Sequence, residues 1–267
     1  MRDVQKEPDS RNIAIDRVGV RGVSYPITVM DRLNGSQNTV ADVSMSVQLP
    51  HEYRGTHMSR FIETLDEYKG IVGPAALDML TSRMCEKLDA LESEVRFEFP
   101  YFVRKAAPIS GISSLTRYEA GLFGIRKKGV FDIIASVRVP VQTLCPCSKE
   151  ISSNGAHNQR ANVSLKVRMS ELVWFEELIQ VAERSASTPL YTLLKREDEK
   201  YVTERAYDNP RFVEDVVRDA AIEMNGDARI TWYDISVVSA ESIHNHDAFA
   251  ELRGDKREGA RSASLYF

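Results

Sequence analysis

A strict alternation of apolar and polar residues, as in A-D-V-S-M-S-V-Q-L over 41–49, constrains this chain more than any other feature. A period of two buries one face only in an extended strand, because successive side chains point to opposite sides. Residues 13–30 and 39–49 carry this pattern and are separated by L-N-G-S-Q-N, so they read as two strands joined by a hairpin loop. The period then changes. Over 59–69, Phe61, Ile62, Leu65 and Tyr68 share one helical face, and a second helix opens at Pro74 with Leu77, Leu80, Met84, Leu88 and Leu91 in register. Two further strands are expected over 95–105 and 114–125, which makes the first half ββααββ.

After R-K-K-G at 126–129 the order begins again. A strand over 130–144 precedes a Cys/His segment, and a second strand spans 161–169. A helix over 171–184 follows, then a short one beginning at Pro189. A longer helix is expected to be capped by Asn209 with Pro210 at its first position, to carry Val213, Val216, Val217, Ala220 and Met224, and to stop at Asn225-Gly226. Strands over 228–238 and 249–253 close the chain. No letter-for-letter repeat links the halves, so the duplication rests on element order. It predicts an α+β protein of two units, 1–128 with an N-terminal extension and 129–267.

Charge narrows the function classes. Thirty-five Lys and Arg against 39 Asp and Glu leave a formal charge of -4, with neither a basic domain nor a basic tail, which argues against a nucleic-acid or membrane-surface binder. No apolar run approaches the ~20 residues that span a bilayer. The polar start MRDVQKEPDSR lacks the apolar core of a signal peptide, so a cytoplasmic location is expected. Three cysteines make no disulfide framework, and in a reducing compartment their thiols stay available for metal.

Two of those cysteines and one of five histidines fall within L-C-P-C-S-K-E-I-S-S-N-G-A-H-N-Q-R over 144–160. Thiolate and neutral imidazole are the side chains that best hold zinc and similar borderline ions. Pro146 stiffens the turn between Cys145 and Cys147, and Gly155 frees the backbone before His157. Spacing alone leaves three readings: a catalytic metal, a reactive thiol, and buried inert cysteines. A closed structural cage needs four ligands, and the third cysteine, Cys85, lies in a predicted helix. Three protein ligands with an open fourth place is the catalytic arrangement. Carboxylates that can complete it stand in K-R-E-D-E-K at 195–200, which offers Glu197, Asp198 and Glu199, although such charged runs usually are solvated loops between helices. Glu214 flanks the apolar stripe of the last helix and by pattern alone reads as a surface charge beside Arg218. In E-S-I-H-N-H-D at 241–247, His244 and His246 lie on one side of an extended segment, as ligands, acid/base groups or exposed loop residues.

Taken with V-G-V-R at 18–21, G-T-H-M-S-R-F at 55–61, R-E-D-E-K-Y-V-T-E-R at 196–205 and E-S-I-H-N-H-D-A at 241–248, the Cys/His motif resembles the type IB GTP cyclohydrolases of bacteria and archaea. Five separated blocks agree in order and spacing over nearly the whole chain. The resemblance implies a tandem tunnelling fold (T-fold), in which antiparallel ββααββ units associate into β-barrels with helices outside, and a homotetramer with active sites at subunit interfaces. It implies conversion of GTP and water to 7,8-dihydroneopterin triphosphate and formate, the first step of folate-type pterin synthesis. Carried over, Cys145, His157 and Glu199 match the family's metal ligands, and Glu214 in F-V-E-D matches the acid that anchors guanine. The implied cofactor is one divalent ion per subunit, Zn or Mn, with Fe also compatible.

Some roles lie outside the resemblance. Lys149 and Arg160 bracket the motif and are candidates for a cationic triphosphate cradle, while His244, His246 and Cys147 are candidates for proton transfer. Two rival functions are a thiol-dependent T-fold enzyme resembling a nitrile reductase, and a non-catalytic pterin- or purine-binding protein with a structural metal.

Overall fold

The computed structural model describes Gln5 and residues 7–257, and these fall into two compact units. One contains residues up to Pro100 together with Gly121–Ile134; the other contains Tyr101–Ala120 and the chain from Ala135 onward.

In the first unit β1 (Ile15–Asp31) and β2 (Gly35–Leu49) form a long antiparallel hairpin. Asp31 makes the turn: its Oδ1 accepts from the backbone N–H groups of Leu33 (2.9 Å) and Asn34 (2.8 Å), and Gly35 takes the left-handed φ of 78° that restarts the strand. From Ala41 to Leu49 every second residue of β2 is buried, as the alternation requires. Next come α1 (Ser59–Glu67), the two-residue β3 (Ile71–Val72) and α2 (Pro74–Leu88). β3 runs parallel to β1, and β4 (Glu92–Ala106) pairs antiparallel with β2 through Val43 and Phe97. Phe61, Leu65, Leu77, Leu80 and Met84 from the helices and Val43, Met45, Val95 and Phe97 from the strands are buried. Leu91 does not extend that stripe. The helix stops at Leu88, Asp89 turns left-handed at φ 53°, and Leu91 is left exposed.

The strands β4, β5 (Ser113–Lys127) and β6 (Val130–Leu144) each contribute one end to each unit. In the second unit β6 pairs with β7 (Asn158–Met169), β7 with β9 (Ile230–Ser239) and β9 with β10 (Ala248–Asp255), all antiparallel. The helix α4 (Phe175–Ser185) packs on β7, and α6 (Val213–Gly226) packs on α4, β9 and β10. Leu178, Ile179, Ala182, Val216, Val217, Ala220 and Met224 are buried. None of the helices among the described residues is long and apolar enough to cross a membrane.

Three expectations for this half are corrected. No helix begins at Pro189; Thr188–Pro189 is a two-residue strand, β8, paired with β6 through Gln142 and Val141. The charged stretch at 195–200 is not a loop but the start of a helix, α5 (Arg196–Asp208). This helix buries only Asp198 and Ala206, so it has no apolar stripe to read. Finally, Asn209 ends α5 instead of capping α6. Its Nδ2 donates to the carbonyls of Ala186 and Ser187, both at 3.1 Å, and α6 begins four residues later at Val213.

Candidate functional site

The pairing of Leu144 with Asn158 makes residues 145–157 the loop of the β6–β7 hairpin. Pro146 opens a short helix, α3 (Pro146–Ile151), and Gly155 at φ 82° turns the chain back. The loop closes where Cys145 N–H donates to the His157 carbonyl at 3.1 Å. Ser148 braces both candidate ligands: its N–H donates to Cys145 Sγ (3.4 Å), its hydroxyl donates to the Cys145 carbonyl (3.1 Å), and it accepts from His157 N–H (3.2 Å). Sequence spacing therefore becomes spatial proximity through backbone closure.

The His157 ring is oriented from one side. Nδ1 lies 2.9 Å from Gln159 Oε1 and 3.7 Å from a carboxylate oxygen of Glu241. Both neighbours are accepting oxygens, so the tautomer that satisfies them is Nδ1–H, which leaves the Nε2 lone pair free. Glu241 and Gln159 are the neighbours that sequence reasoning missed. In the sequence Glu241 stands out only as the start of the His244/His246 cluster.

A thiol and an oriented imidazole fit a borderline divalent ion by donor chemistry. Among the described residues no three His, Cys, Asp or Glu side chains converge closely enough to hold one ion.

The remaining candidates lie around this hairpin or on the helices. Glu199 is exposed in the first turn of α5, beside Asp198, which is fully buried. Asp198 accepts from the N–H groups of Ile109 (2.9 Å), Ser110 (2.9 Å) and Lys195 (2.8 Å) and from the Ser110 hydroxyl (2.6 Å). Burial pushes this carboxyl up, but the hydrogen bonds from Ser110, Lys195 and Ile109 outweigh it and hold the pKa well below the usual carboxylate range. Glu214 is exposed in the first turn of α6, next to Asp215, whose Oδ2 takes the Phe212 N–H at 3.0 Å.

Lys149 is already engaged: its ammonium donates to the Tyr207 carbonyl and stands 4.4 Å from the centre of the Tyr207 ring. Arg160 is exposed on β7, and Cys147 is exposed on α3. His244 and His246 sit in a turn, not an extended segment; both are exposed and their rings stack with centroids 5.1 Å apart.

Comparison with known proteins bears on the family and the fold. The sequence profile described as type I GTP cyclohydrolase FolE2 matches residues 1–250. The GTP cyclohydrolase FolE2 of Pseudothermotoga lettingae is 50% identical over 258 residues, covering 97% of this chain and all of that protein. Its counterpart in Kosmotoga olearia is 54% identical over 256 residues, covering 96% and 99%. Among solved structures, uricase from Arthrobacter globiformis superposes with a TM-score of 0.50 at 11% identity, over 92% of this chain and 95% of that one. A hyperthermostable mutant of Bacillus sp. TB-90 urate oxidase gives a TM-score of 0.53 at 11% identity, over 90% and 99%. At such identity the structural likeness bears on fold alone, whereas the profile and the half-identical relatives reach across the whole chain: it belongs to the type I GTP cyclohydrolase FolE2 family.

Proposed function

We propose that this chain is a metal-dependent GTP cyclohydrolase of type IB, converting GTP and water to 7,8-dihydroneopterin triphosphate and formate at the entry to folate-type pterin synthesis. The observation that carries the reading is family membership over nearly the full length, with relatives about half identical.

Cys145 and His157 would hold a divalent ion, Zn or Mn with Fe also compatible, in the hairpin described above. Such an ion, when bound, supplies Lewis acidity and acidified water for attack on a purine carbon. Glu199 completes the ligand set across a subunit interface, which is supported by its exposure and by its separation from the Cys145–His157 pair within one chain. The two ββααββ halves, 1–128 and 129–267, act as tandem T-fold units that associate into barrels of a homotetramer.

Glu214 accepts hydrogen bonds from the guanine N1–H and 2-amino groups, a donor pair that adenine lacks, so specificity for GTP rests on one carboxylate. Arg160 and Lys149 offer cationic contacts to the triphosphate, although Lys149 must leave the Tyr207 carbonyl to make them. Once formate has left, ribose rearrangement and ring closure need proton transfers, for which His244, His246 and Cys147 are the candidate groups.

Incubating metal-loaded protein with GTP tests the reading directly. Formate and, after oxidation, a fluorescent pterin are expected; no formate with any of Zn, Mn or Fe would sink it. Glu214→Gln should lower kcat/KM for GTP roughly 10- to 100-fold by removing one charge-assisted acceptor, with metal content unchanged. Loss of metal in that variant would mean that Glu214 serves the ion and not the base.

A further inference from the structure

Three neighbouring strands share a departure from their own core pattern. On β6 the buried register runs Val137, Val139, Val141 and then Thr143; on β7 it runs Val167, Leu165, Val163, Ala161 and then Gln159; on β9 it runs Ile235, Val237 and then Ser239. The strand register sets these ends side by side, with Thr143 opposite Gln159 and Ser239 opposite Ala161. All three polar side chains are buried, with exposures of 1% for Thr143, 8% for Gln159 and 0% for Ser239. They are linked: Gln159 Nε2 donates to Thr143 Oγ1 at 3.1 Å, and Thr143 Oγ1 lies 3.3 Å from Ser239 Oγ.

Burying a hydroxyl or amide costs free energy unless its hydrogen bonds are made, and valine would fill the same register at no such cost. The layer ends on one group, the His157 ring, through Gln159 Oε1 and Nδ1 at 2.9 Å.

We propose that Gln159 is a positioning residue of the metal site, held by the Thr143–Ser239 layer so that His157 presents Nε2, and not Nδ1, to the ion. The proposal rests on the reading of His157 as a ligand. An amide anchored at its NH₂ end to Thr143 has its oxygen fixed toward the imidazole, and that oxygen selects the Nδ1–H tautomer and restricts rotation of the ring. Thr143 and Ser239 act through the amide.

Zinc affinity, measured by competition with a chromophoric chelator on the full-length chain, provides a readout independent of turnover. Gln159→Leu should weaken zinc binding about 10- to 100-fold, the range typical for loss of a partner behind a metal-bound histidine, while circular dichroism and oligomeric state stay unchanged. Gln159→Glu, which keeps an acceptor on Nδ1, should rescue affinity to near that of the parent protein. Thr143→Val preserves shape and should weaken binding by a smaller factor, so the idea stays testable if Gln159→Leu does not fold. Zinc binding as tight in Gln159→Leu and Thr143→Val as in the parent would overturn the proposal, provided that His157→Ala has lost the metal. If His157→Ala itself keeps full affinity, the ligand reading fails and the positioning role falls with it.

Discussion

At the scale of single residues, buried polar groups say more than the exposed candidates they support. Asp198 stands one position before Glu199, is fully buried, and is satisfied by four donors from the 109–110 turn and from the residue that precedes α5. Its folded pKa lies below the ordinary value, so the sign is that of a stabilising carboxylate. The stability it contributes is fully present above the unfolded Asp pKa of about 3.9 and is lost as pH falls below that toward the lower folded value. Asp198→Asn should therefore lower the Tm at neutral pH, and the gap from the parent protein should narrow as pH falls below about 4. A gap that stayed constant, or widened with acid, would show that the carboxylate charge is not what matters. Gly19 of the V-G-V-R motif has a different reason. A Cβ there would lie 1.9 Å from the Met45 carbonyl oxygen, so the close approach of β1 to β2 admits only glycine. The adjacent shift of register leads to Gly22 at φ 73°.

At the scale of elements, three helices of the second unit begin by a device that side-chain N-cap preferences do not reveal. Trp174, Lys195 and Phe212 precede α4, α5 and α6. In each case an acid three residues on (Glu177, Asp198, Asp215) reaches back to the backbone N–H, at 2.9, 2.8 and 3.0 Å. A reader who looks for Ser, Thr, Asp or Asn before the apolar stripe finds Asn209 and places α6 too early. The signal that was legible is the recurrent pair of acids in the first turn, Glu176-Glu177, Glu197-Asp198 and Glu214-Asp215. At its other end α6 is closed by a side chain from beyond β10. Lys256 Nζ donates to the carbonyls of Met224 (2.8 Å) and Asp227 (2.7 Å). Lys256→Met should cost about 1 kcal/mol and lower the Tm by roughly 2–4 °C, measurable by thermal unfolding; an unchanged Tm would assign the cap to solvent.

At the scale of the whole molecule, the hairpin loop places Cys145 and His157 together, whereas the acids proposed to act with them sit on the exposed first turns of α5 and α6. A site that joins side chains from different subunits makes a sharp prediction. Cys145→Ala and Glu199→Gln homo-oligomers should each be inactive, yet dissociating and mixing them should restore GTP turnover in hybrids, because some interfaces then combine an intact hairpin with an intact Glu199. Two inactive variants that stay inactive after verified subunit exchange would place the whole ligand set in one chain. Chelation should abolish turnover while leaving the far-ultraviolet circular dichroism largely intact, since the loop at 145–157 contributes no buried residue to the core.

Local periodicity in the sequence determined the long strands of both halves, α2 up to its left-handed stop and the hairpin that carries the Cys/His motif, because alternation and helical stripes record which face each segment must bury. The five spaced motifs determined the family in the same way, as chemistry written in order along the chain. Only the tertiary structure decided that the charged run before Tyr201 is a helix, that Asn209 closes one helix instead of opening the next, and that Gln159, Thr143 and Ser239 meet behind His157. The physical reason is common to all three. Their partners are distant in sequence, and a buried polar group records its purpose only where the strand register and the backbone carbonyls that satisfy it come together.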